Sequence, residues 1–256
     1  MYLCSRSETR TLSALVSSRI LRRVKVKGRS VLRAHLPLVS GQNIYSFSHG
    51  FLKAFRADNG LLLWKTPIEG HTVGQIILNN DSIYMTADGK SIFMVKRSDG
   101  AIGWHISVAE TLTSPLTIDG TTLYYSTNQN LLFARNAESS SLLWKKELPG
   151  VIPDRTGQSQ LYTSGHIIIY INQGKARNQQ ENKVLALSDT TGSVVWSNHL
   201  DGWPVRAATL SHNTITILSL NGLVVPMIYT VEGANGTLLL VMHTYCQWFL
   251  TMIRSL

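Results

Sequence analysis

The sequence AFRADNGLLLW, at residues 54–64, decides the fold because its spacing returns along the chain. A small residue is followed six positions later by Gly, and Trp comes four positions after that Gly. Three weaker copies and a fifth, eroded copy follow, at Met94/Gly100/Trp104, Ala134/Ser140/Trp144, Ala186/Gly192/Trp196 and Thr230/Gly236/Leu240. The chain is therefore read first as a set of repeats.

The repeat has a period near 40 residues. Successive Trp residues are 40, 40 and 52 positions apart, and the step from Trp196 to Leu240 is 44. A period of this length with one aromatic residue per unit is typical of a repeat architecture. It predicts one repeat domain rather than two unrelated ones.

Each period has room for four short strands. In the second unit, apolar strand patterns at residues 75–78, 82–86, 91–95 and 101–105 are separated by Asn, Asp, Ser and Gly turns. One such sheet has two apolar faces and has to stack on its neighbours. We therefore predict an all-β fold with about five four-stranded antiparallel blades. Residues 31–39 are either the first strand or the segment that closes a ring.

The positive charge belongs to the N-terminal segment and not to the repeats. Residues 1–33 contain nine Lys or Arg and one acid, a charge of +8, whereas the other 223 residues contain 15 bases and 14 acids, a charge of +1. A nearly neutral body does not predict a nucleic-acid groove. Weak contact with a membrane or polyanion is predicted for the basic arm alone.

The two ends of the chain differ in composition from the repeats. Residues 1–33 are predicted to be a poorly ordered basic arm, with a transit peptide or a misassigned start as alternatives, and without a clear signal peptide. Residues 34–245 form the predicted repeat domain, and residues 246–256 a divergent apolar tail. The uncharged run from Gly233 to Ile253 is long enough to span a bilayer, but its polar residues favour a strand followed by that tail.

The fourth unit carries an insertion. Residues 172–182, NQGKARNQQEN, place eleven polar residues where the other units need three or four. A polar insertion at a turn predicts a surface loop, which either recognises a partner or is only tolerated.

The repeated pattern resembles the tryptophan-docking motif of pyrroloquinoline quinone-type β-propeller repeats, over roughly residues 41–240. The resemblance implies that each Trp packs on the adjacent blade near a Gly-bearing turn. It therefore marks seven residues as structural docking residues rather than ligand contacts: Gly60, Trp64, Gly100, Trp104, Trp144, Gly192 and Trp196.

Two features depart from the family. The Asp expected two residues after the small residue is replaced by Arg56, Lys96, Asn136 and Ser188, which weakens the expected capping of the turn. Related propellers close with more blades than the five seen here, so we predict either a smaller ring or an incomplete one, and favour the latter.

Two functions are compatible with this pattern. The first is a non-catalytic binding or scaffold module, with a protein or small ligand bound on a propeller face. The alternative is a degenerate or truncated quinone-dependent dehydrogenase with calcium, oxidising an alcohol or aldose. The vicinal cysteines that such enzymes commonly carry do not match Cys4 and Cys246, and the acidic residues are scattered.

Catalytic chemistry of other kinds has no motif in the sequence. The eight histidines show no HxH or HExxH spacing, and no GxSxG elbow occurs. We therefore predict no enzyme activity, no cofactor and no catalytic, cofactor-binding or metal-binding residue. The family resemblance favours an extracytoplasmic location.

Overall fold

The computed structural model describes residues 37–70, 73–148, 159–171, 183–199, 205–211, 214–220, 226–232 and 235–243. Within these ranges the regular elements are 20 β-strands. None of these residues lies in a helix with the length and hydropathy needed to cross a membrane. The residues fall into two compact units that divide between Pro67 and Ile68. The first unit contains one four-stranded sheet and the second contains four.

Each sheet forms one blade, and the blades are numbered in chain order. Blade 1, which is the sheet of the first unit, contains β1 (Leu38–Ser40), β2 (Asn43–Ser48), β3 (Phe51–Arg56) and β4 (Leu62–Pro67). Blade 2 contains β5 (Val73–Asn79), β6 (Ser82–Ala87), β7 (Ser91–Lys96) and β8 (Ile102–Ser107). Blade 3 contains β9 (Thr117–Asp119), β10 (Thr122–Ser126), β11 (Leu131–Asn136) and β12 (Leu142–Glu147).

The last two blades follow the same order. Blade 4 contains β13 (Gln160–Ser164), β14 (Ile167–Ile171), β15 (Lys183–Ser188) and β16 (Val194–His199). Blade 5 contains β17 (Val205–Ser211), β18 (Thr214–Leu220), β19 (Pro226–Glu232) and β20 (Leu238–His243). In every sheet the strands lie side by side in sequence order and pair antiparallel. The predicted all-β fold of four-stranded antiparallel blades is confirmed.

Some predicted segments lie wholly or partly outside the described residues. They are the basic arm at residues 1–33, the insertion at residues 172–182 and the tail at residues 246–256. The uncharged run of residues 233–253 contains β20, in agreement with a strand in its first part. Residues 31–36 also lie outside, and β1 begins at Leu38.

The core of the second unit lies between consecutive blades. Side chains alternate along a strand, so β10 sends Leu123 and Tyr125 into a cluster with residues of blade 2. Tyr124 points the other way, into a cluster with Ile168 and Leu185 of blade 4. Because both faces are covered, the middle strands are apolar almost without interruption, as in β14, where every residue after Ile167 is buried.

Burial predicts how two leucines of blade 3 differ in their contribution to stability. Leu132 of β11 is fully buried between blades 3 and 4, whereas Leu143 of β12 is 51% exposed. Leu132→Ala removes buried methyl groups and leaves a cavity, so we expect a loss of about 2 to 5 kcal/mol in the free energy of unfolding. Leu143→Ala is the matched control, with an expected loss of about 0.5 kcal/mol or less. Urea unfolding followed by circular dichroism measures both, and equal losses would contradict this description of the core.

Candidate functional site: docking turns and an apolar rim

The turn between the third and fourth strand has the same construction in four blades. We call it the docking turn, at residues 56–61, 96–101, 136–141 and 188–193. The N–H of its first residue donates to the carbonyl of its last, as in Arg56 to Leu61 at 2.8 Å. The Gly position, or Ser140, donates back to the carbonyl of that first residue. Gly60, Gly100, Gly192 and the corresponding Gly236 have φ between 66° and 77°, where a side chain is disfavoured.

The small residue of the motif lies opposite the Trp. Ala54 pairs with Trp64, Ala134 with Trp144 and Ala186 with Trp196. In each blade a one-residue register shift lies between this pair and the docking turn, so that one residue of the fourth strand has no Cα partner on the third. The eroded copy obeys the same rule, since Thr230 pairs with Leu240 before its own shift.

The indole of one blade lies over the docking turn of the next. A Cβ placed on Gly192 of blade 4 would come within 2.7 Å of Trp144 Cζ3, on blade 3. A Cβ on Gly236 of blade 5 would come within 2.6 Å of Trp196 Cδ2, on blade 4. Glycine is thus required at these two turns for space as well as for its positive φ.

The indole nitrogen also has a fixed partner. Trp104 Nε1 donates to the Ala137 carbonyl at 2.9 Å, and Trp144 Nε1 donates to the Asp189 carbonyl at 2.9 Å. Each acceptor lies three residues before the Gly or Ser position of the next blade's docking turn. A half-buried Trp therefore contributes apolar contact and a satisfied hydrogen bond at the same place.

The contact between blades 2 and 3 is a variant of this arrangement. Met94 replaces the small residue opposite Trp104, and Gly103 beside it makes room, since a Cβ there would lie 2.4 Å from Met94 Cε. The next turn has Ser140 instead of Gly, at φ 61°. The indole of Trp104 is tilted 54° from Tyr84, against 43° between Trp144 and Tyr124.

The remaining predicted docking residues occupy equivalent positions. Trp64 is half-buried on β4, with its ring 6.0 Å from that of Tyr45. Gly100 is buried in the docking turn of blade 2, where its N–H donates to Lys96 at 3.0 Å. Gly60 is exposed, and no described atom lies within 4 Å of a Cβ built on it.

Sequence reasoning predicted local side-chain hydrogen bonding at the Asp58-Asn59-Gly60 turn but missed that the same position caps every copy. The residue directly before the Gly position accepts a hydrogen bond from the N–H two residues ahead, as Asn59 does from Leu61 and Asp99 does from Ala101, both at 2.9 Å. Asn235 repeats the bond to Thr237 at 2.8 Å. The expected weakening of the cap is therefore offset one position before the glycine, where Asn, Asp, Ser or Thr recurs in every copy.

A repeated tyrosine was also missed. Tyr45, Tyr84 and Tyr124 each lie on the second strand of a blade, with ring centroids 6.0 Å from the Trp of that blade. They precede their Trp residues by 19 or 20 positions, and that regular spacing was visible in the sequence.

The outer strands carry exposed apolar side chains. In blades 2 to 5, at least one of the two residues before the Trp position is apolar and at least 44% exposed on the fourth strand. We call this surface the apolar rim: Ile102, Leu142, Leu143, Val194, Val195 and Leu239. Their recurrence at one position distinguishes them from isolated surface leucines.

Titratable groups do not form a metal-binding cluster within the part of the chain that is described. At the surface, His166 Nδ1 lies 3.3 Å from Asp189 Oδ2.

The repeated sheets, docking turns and outer indoles define a β-propeller built of pyrroloquinoline quinone-type repeats. A family model described as outer membrane protein assembly factor BamB matches residues 12–106 and 89–240. The chain belongs to this family. The match begins at residue 12, within the segment predicted to be a basic arm.

Two curated relatives carry the same description. The protein of Moranella endobia is 24% identical over 205 residues, which are 74% of this chain and 49% of the relative. That of Yersinia pestis is 24% identical over 224 residues, which are 80% of this chain and 53% of the relative. This chain thus spans about half the length of the curated relatives it matches.

Solved structures show the same fold. BamB from Moraxella catarrhalis aligns with a TM-score of 0.62 at 15% identity, over 81% of this chain and 60% of that one. A quinohemoprotein alcohol dehydrogenase from Pseudomonas putida HK5 aligns with a TM-score of 0.58 at 15% identity, over 81% and 41%. The predicted β-propeller is confirmed by these similarities, which concern the fold alone.

Ser140 provides a test of the backbone requirement at a docking turn. A residue other than Gly in this conformation costs about 1 to 2 kcal/mol, and part of that is offset because Gly gains freedom in the unfolded chain. We expect Ser140→Gly to raise the free energy of unfolding by up to about 1 kcal/mol. Ser140→Ala keeps the Cβ and should bring no such gain. In urea titrations, a stabilising Ser140→Ala variant or a destabilising Ser140→Gly variant would contradict backbone strain at this turn.

Buried tyrosines predict a loss of stability at alkaline pH. Burial raises the pKa of five phenols, although hydrogen bonds to neighbouring side chains lower it in part for all but Tyr162: Tyr84, Tyr124, Tyr125, Tyr162 and Tyr170. In the unfolded chain they ionise near about pH 10, before the folded chain does. The contribution of these tyrosines to the free energy of unfolding is therefore fully present below about pH 10. It is lost as the pH rises above that value through the raised pKa values of the folded chain.

The measurement is the urea midpoint as a function of pH from neutral to strongly alkaline. We expect a decline that Tyr170→Phe makes shallower, because one titrating group with a raised pKa is removed. A midpoint that stays constant across the titration of unfolded tyrosine would contradict the prediction.

Proposed function

We propose that this chain is a non-catalytic β-propeller scaffold that binds other proteins through the apolar rim. The observation that carries the proposal is a difference in burial between neighbouring side chains on the outer strands. The half-buried Trp of blades 2 to 4 takes part in blade packing, whereas the apolar residues before it remain exposed. An exposed apolar surface that recurs from blade to blade is the kind of surface that serves protein binding.

Membership of the family supports a more specific proposal about which proteins the chain binds. Relatives in the family are described as outer membrane protein assembly factors, and we propose that this chain likewise assists the assembly of outer membrane proteins. The seven docking residues then serve the scaffold and do not contact a ligand.

Binding of an unfolded outer-membrane β-barrel protein tests the proposed role. The barrel protein is diluted from urea into the purified chain, and complex formation is measured by analytical ultracentrifugation. Leu142→Lys with Leu143→Lys places two charges on the rim, so we expect binding to weaken by about tenfold or more, equivalent to about 1.4 kcal/mol. The exposed Leu143 and its neighbour contribute little to folding, so the variant should remain folded.

Glu138→Lys is the matched control. It raises the net charge by the same two units from an exposed site in the docking turn of blade 3 and leaves all six rim side chains in place. It should leave binding unchanged. If the double lysine variant and Glu138→Lys lose binding affinity equally, the loss is due to net charge and not to the rim. If neither variant loses affinity, a role for the rim in binding is contradicted.

The dehydrogenase alternative has its own test. Pyrroloquinoline quinone and calcium are added to the purified protein, and bound quinone absorbance and alcohol- or aldose-dependent dye reduction are measured. We expect neither saturable uptake nor turnover. Both together would replace the scaffold proposal with the alternative.

A further inference from the structure

Arg135 of β11 is a basic residue at a position that is apolar in the other blades. It directly follows the small residue of the motif, and the other copies have an apolar residue there: Phe55, Val95, Leu187 and Val231. Val95 and Leu187 are buried, at 0% and 1% exposure, whereas Arg135 is half-buried. A charge that is partly removed from water is stable only if polar or charged groups are bound to it.

Two neutral groups fix the guanidinium in place. Arg135 Nε donates to the Tyr125 hydroxyl at 2.9 Å, and Arg135 Nη1 donates to the Ser140 carbonyl at 2.8 Å. A guanidinium carries five N–H groups, and these two contacts use two of them. The other N–H groups belong to a side chain whose orientation is already set, which suits the binding of a carboxylate.

The phenol of Tyr125 does not act as a counter-ion to Arg135. Burial raises the pKa of this phenol, and the hydrogen bond and charge of Arg135 offset only part of the rise. The hydroxyl therefore stays protonated at neutral pH. Within the part of the chain that the structure describes, the two hydrogen-bond partners of Arg135 are thus uncharged.

Arg135 lies beside the apolar rim. It is the direct cross-strand neighbour of Leu142 on β12, and residues paired in this way have Cβ atoms about 4.5–5.5 Å apart on one face of the sheet. Leu142 is 50% exposed, and the next residue, Leu143, is 51% exposed. In blade 4 the rim residue Val194 pairs with the buried Leu187 instead. Blade 3 therefore differs from blade 4 in combining a fixed positive charge with its exposed apolar side chains.

We propose that Arg135 makes blade 3 the part of the apolar rim that selects a partner segment in which Glu or Asp lies among apolar side chains. The carboxylate of the segment pairs with the guanidinium of Arg135, and its apolar side chains cover Leu142 and Leu143. The charge of the site is complementary to such a segment. The leucines and the nearly neutral repeats favour a polypeptide over a polyanion. The inference rests on the proposed protein-binding function and names the chemistry of the partner.

Peptide binding to the full chain tests this selection. One labelled peptide has a Glu flanked by Leu residues in a Gly and Ser background, and its matched peptide has Gln in place of the Glu. Fluorescence anisotropy measures both dissociation constants at low ionic strength, where an ion pair is least screened. We expect the wild-type chain to bind the Glu peptide about fivefold more tightly than the Gln peptide, and we expect added salt to reduce this preference.

Two substitutions of Arg135 separate its charge from its hydrogen-bond geometry. Arg135→Gln keeps an N–H donor but removes the charge, so the preference for the Glu peptide should disappear. Arg135→Lys keeps the charge but not the planar fork of donors, so the preference should fall to about twofold. Urea unfolding checks that both variants remain folded.

Lys90→Gln is the matched control for the loss of one positive charge. Lys90 is exposed in the turn between β6 and β7, at the end of β7 opposite the docking turn of blade 2, so this variant should keep the full preference for the Glu peptide. Leu142→Ser with Leu143→Ser removes the apolar part of the site. It should weaken the binding of both peptides by a similar factor and leave the preference between them.

Four outcomes would overturn the inference. They are no binding of either peptide to the wild-type chain up to about 1 mM, equal wild-type affinity for the Glu and Gln peptides, an undiminished preference in Arg135→Gln, and tighter binding of a single-stranded oligonucleotide than of the Glu peptide. A failure of the proposed function is distinguishable from these outcomes. If the unfolded barrel protein binds and the lysine variants of Leu142 and Leu143 weaken it, the rim binds proteins without selection by Arg135.

Discussion

The structure depends on one contact, in which an indole from the outer strand of one blade lies on the turn of the next blade. That contact requires three residues at fixed spacing. They are the Trp itself, a small residue opposite it that leaves space for the ring, and a glycine whose positive φ allows the ring of the preceding blade to approach. Trp144 on the Gly192 turn shows the complete form, with the indole nitrogen bound to the Asp189 carbonyl at 2.9 Å.

The same contact explains why four-stranded sheets of this size form a fold at all. One blade has two apolar faces and cannot cover either alone. The middle strands, such as β10, alternate side chains into the clusters on both sides, and the indole closes the gap at the outer edge. The outer strands are thereby left with apolar residues that packing does not use, and this surface underlies the proposed binding role.

The spacing of Trp, Gly and the small residue was sufficient to predict the strands, the turns and the blade count. These features depend on local residue types, and local rules recur from blade to blade. The partners across blades were harder to derive, because the motif pairs Gly60 with Trp64 in sequence while the contact joins a Trp to the following copy. Met94 and Ser140 show the same limit. Gly103 makes room for Met94, and Trp104 is tilted 54° from Tyr84, which only the packed structure reveals.

A double-mutant cycle between Trp144 and Gly192 tests the central contact most directly. Gly192→Ala is measured by urea unfolding in the wild-type chain and in a chain carrying Trp144→Ala. If the indole occupies the space over the turn, the loss caused by Gly192→Ala shrinks by about 1 kcal/mol or more once the ring is absent, and only the backbone strain and the contact with the flexible Lys146 side chain remain. The same loss in both backgrounds would contradict the docking of Trp144 on Gly192, and with it the account of how the blades are joined.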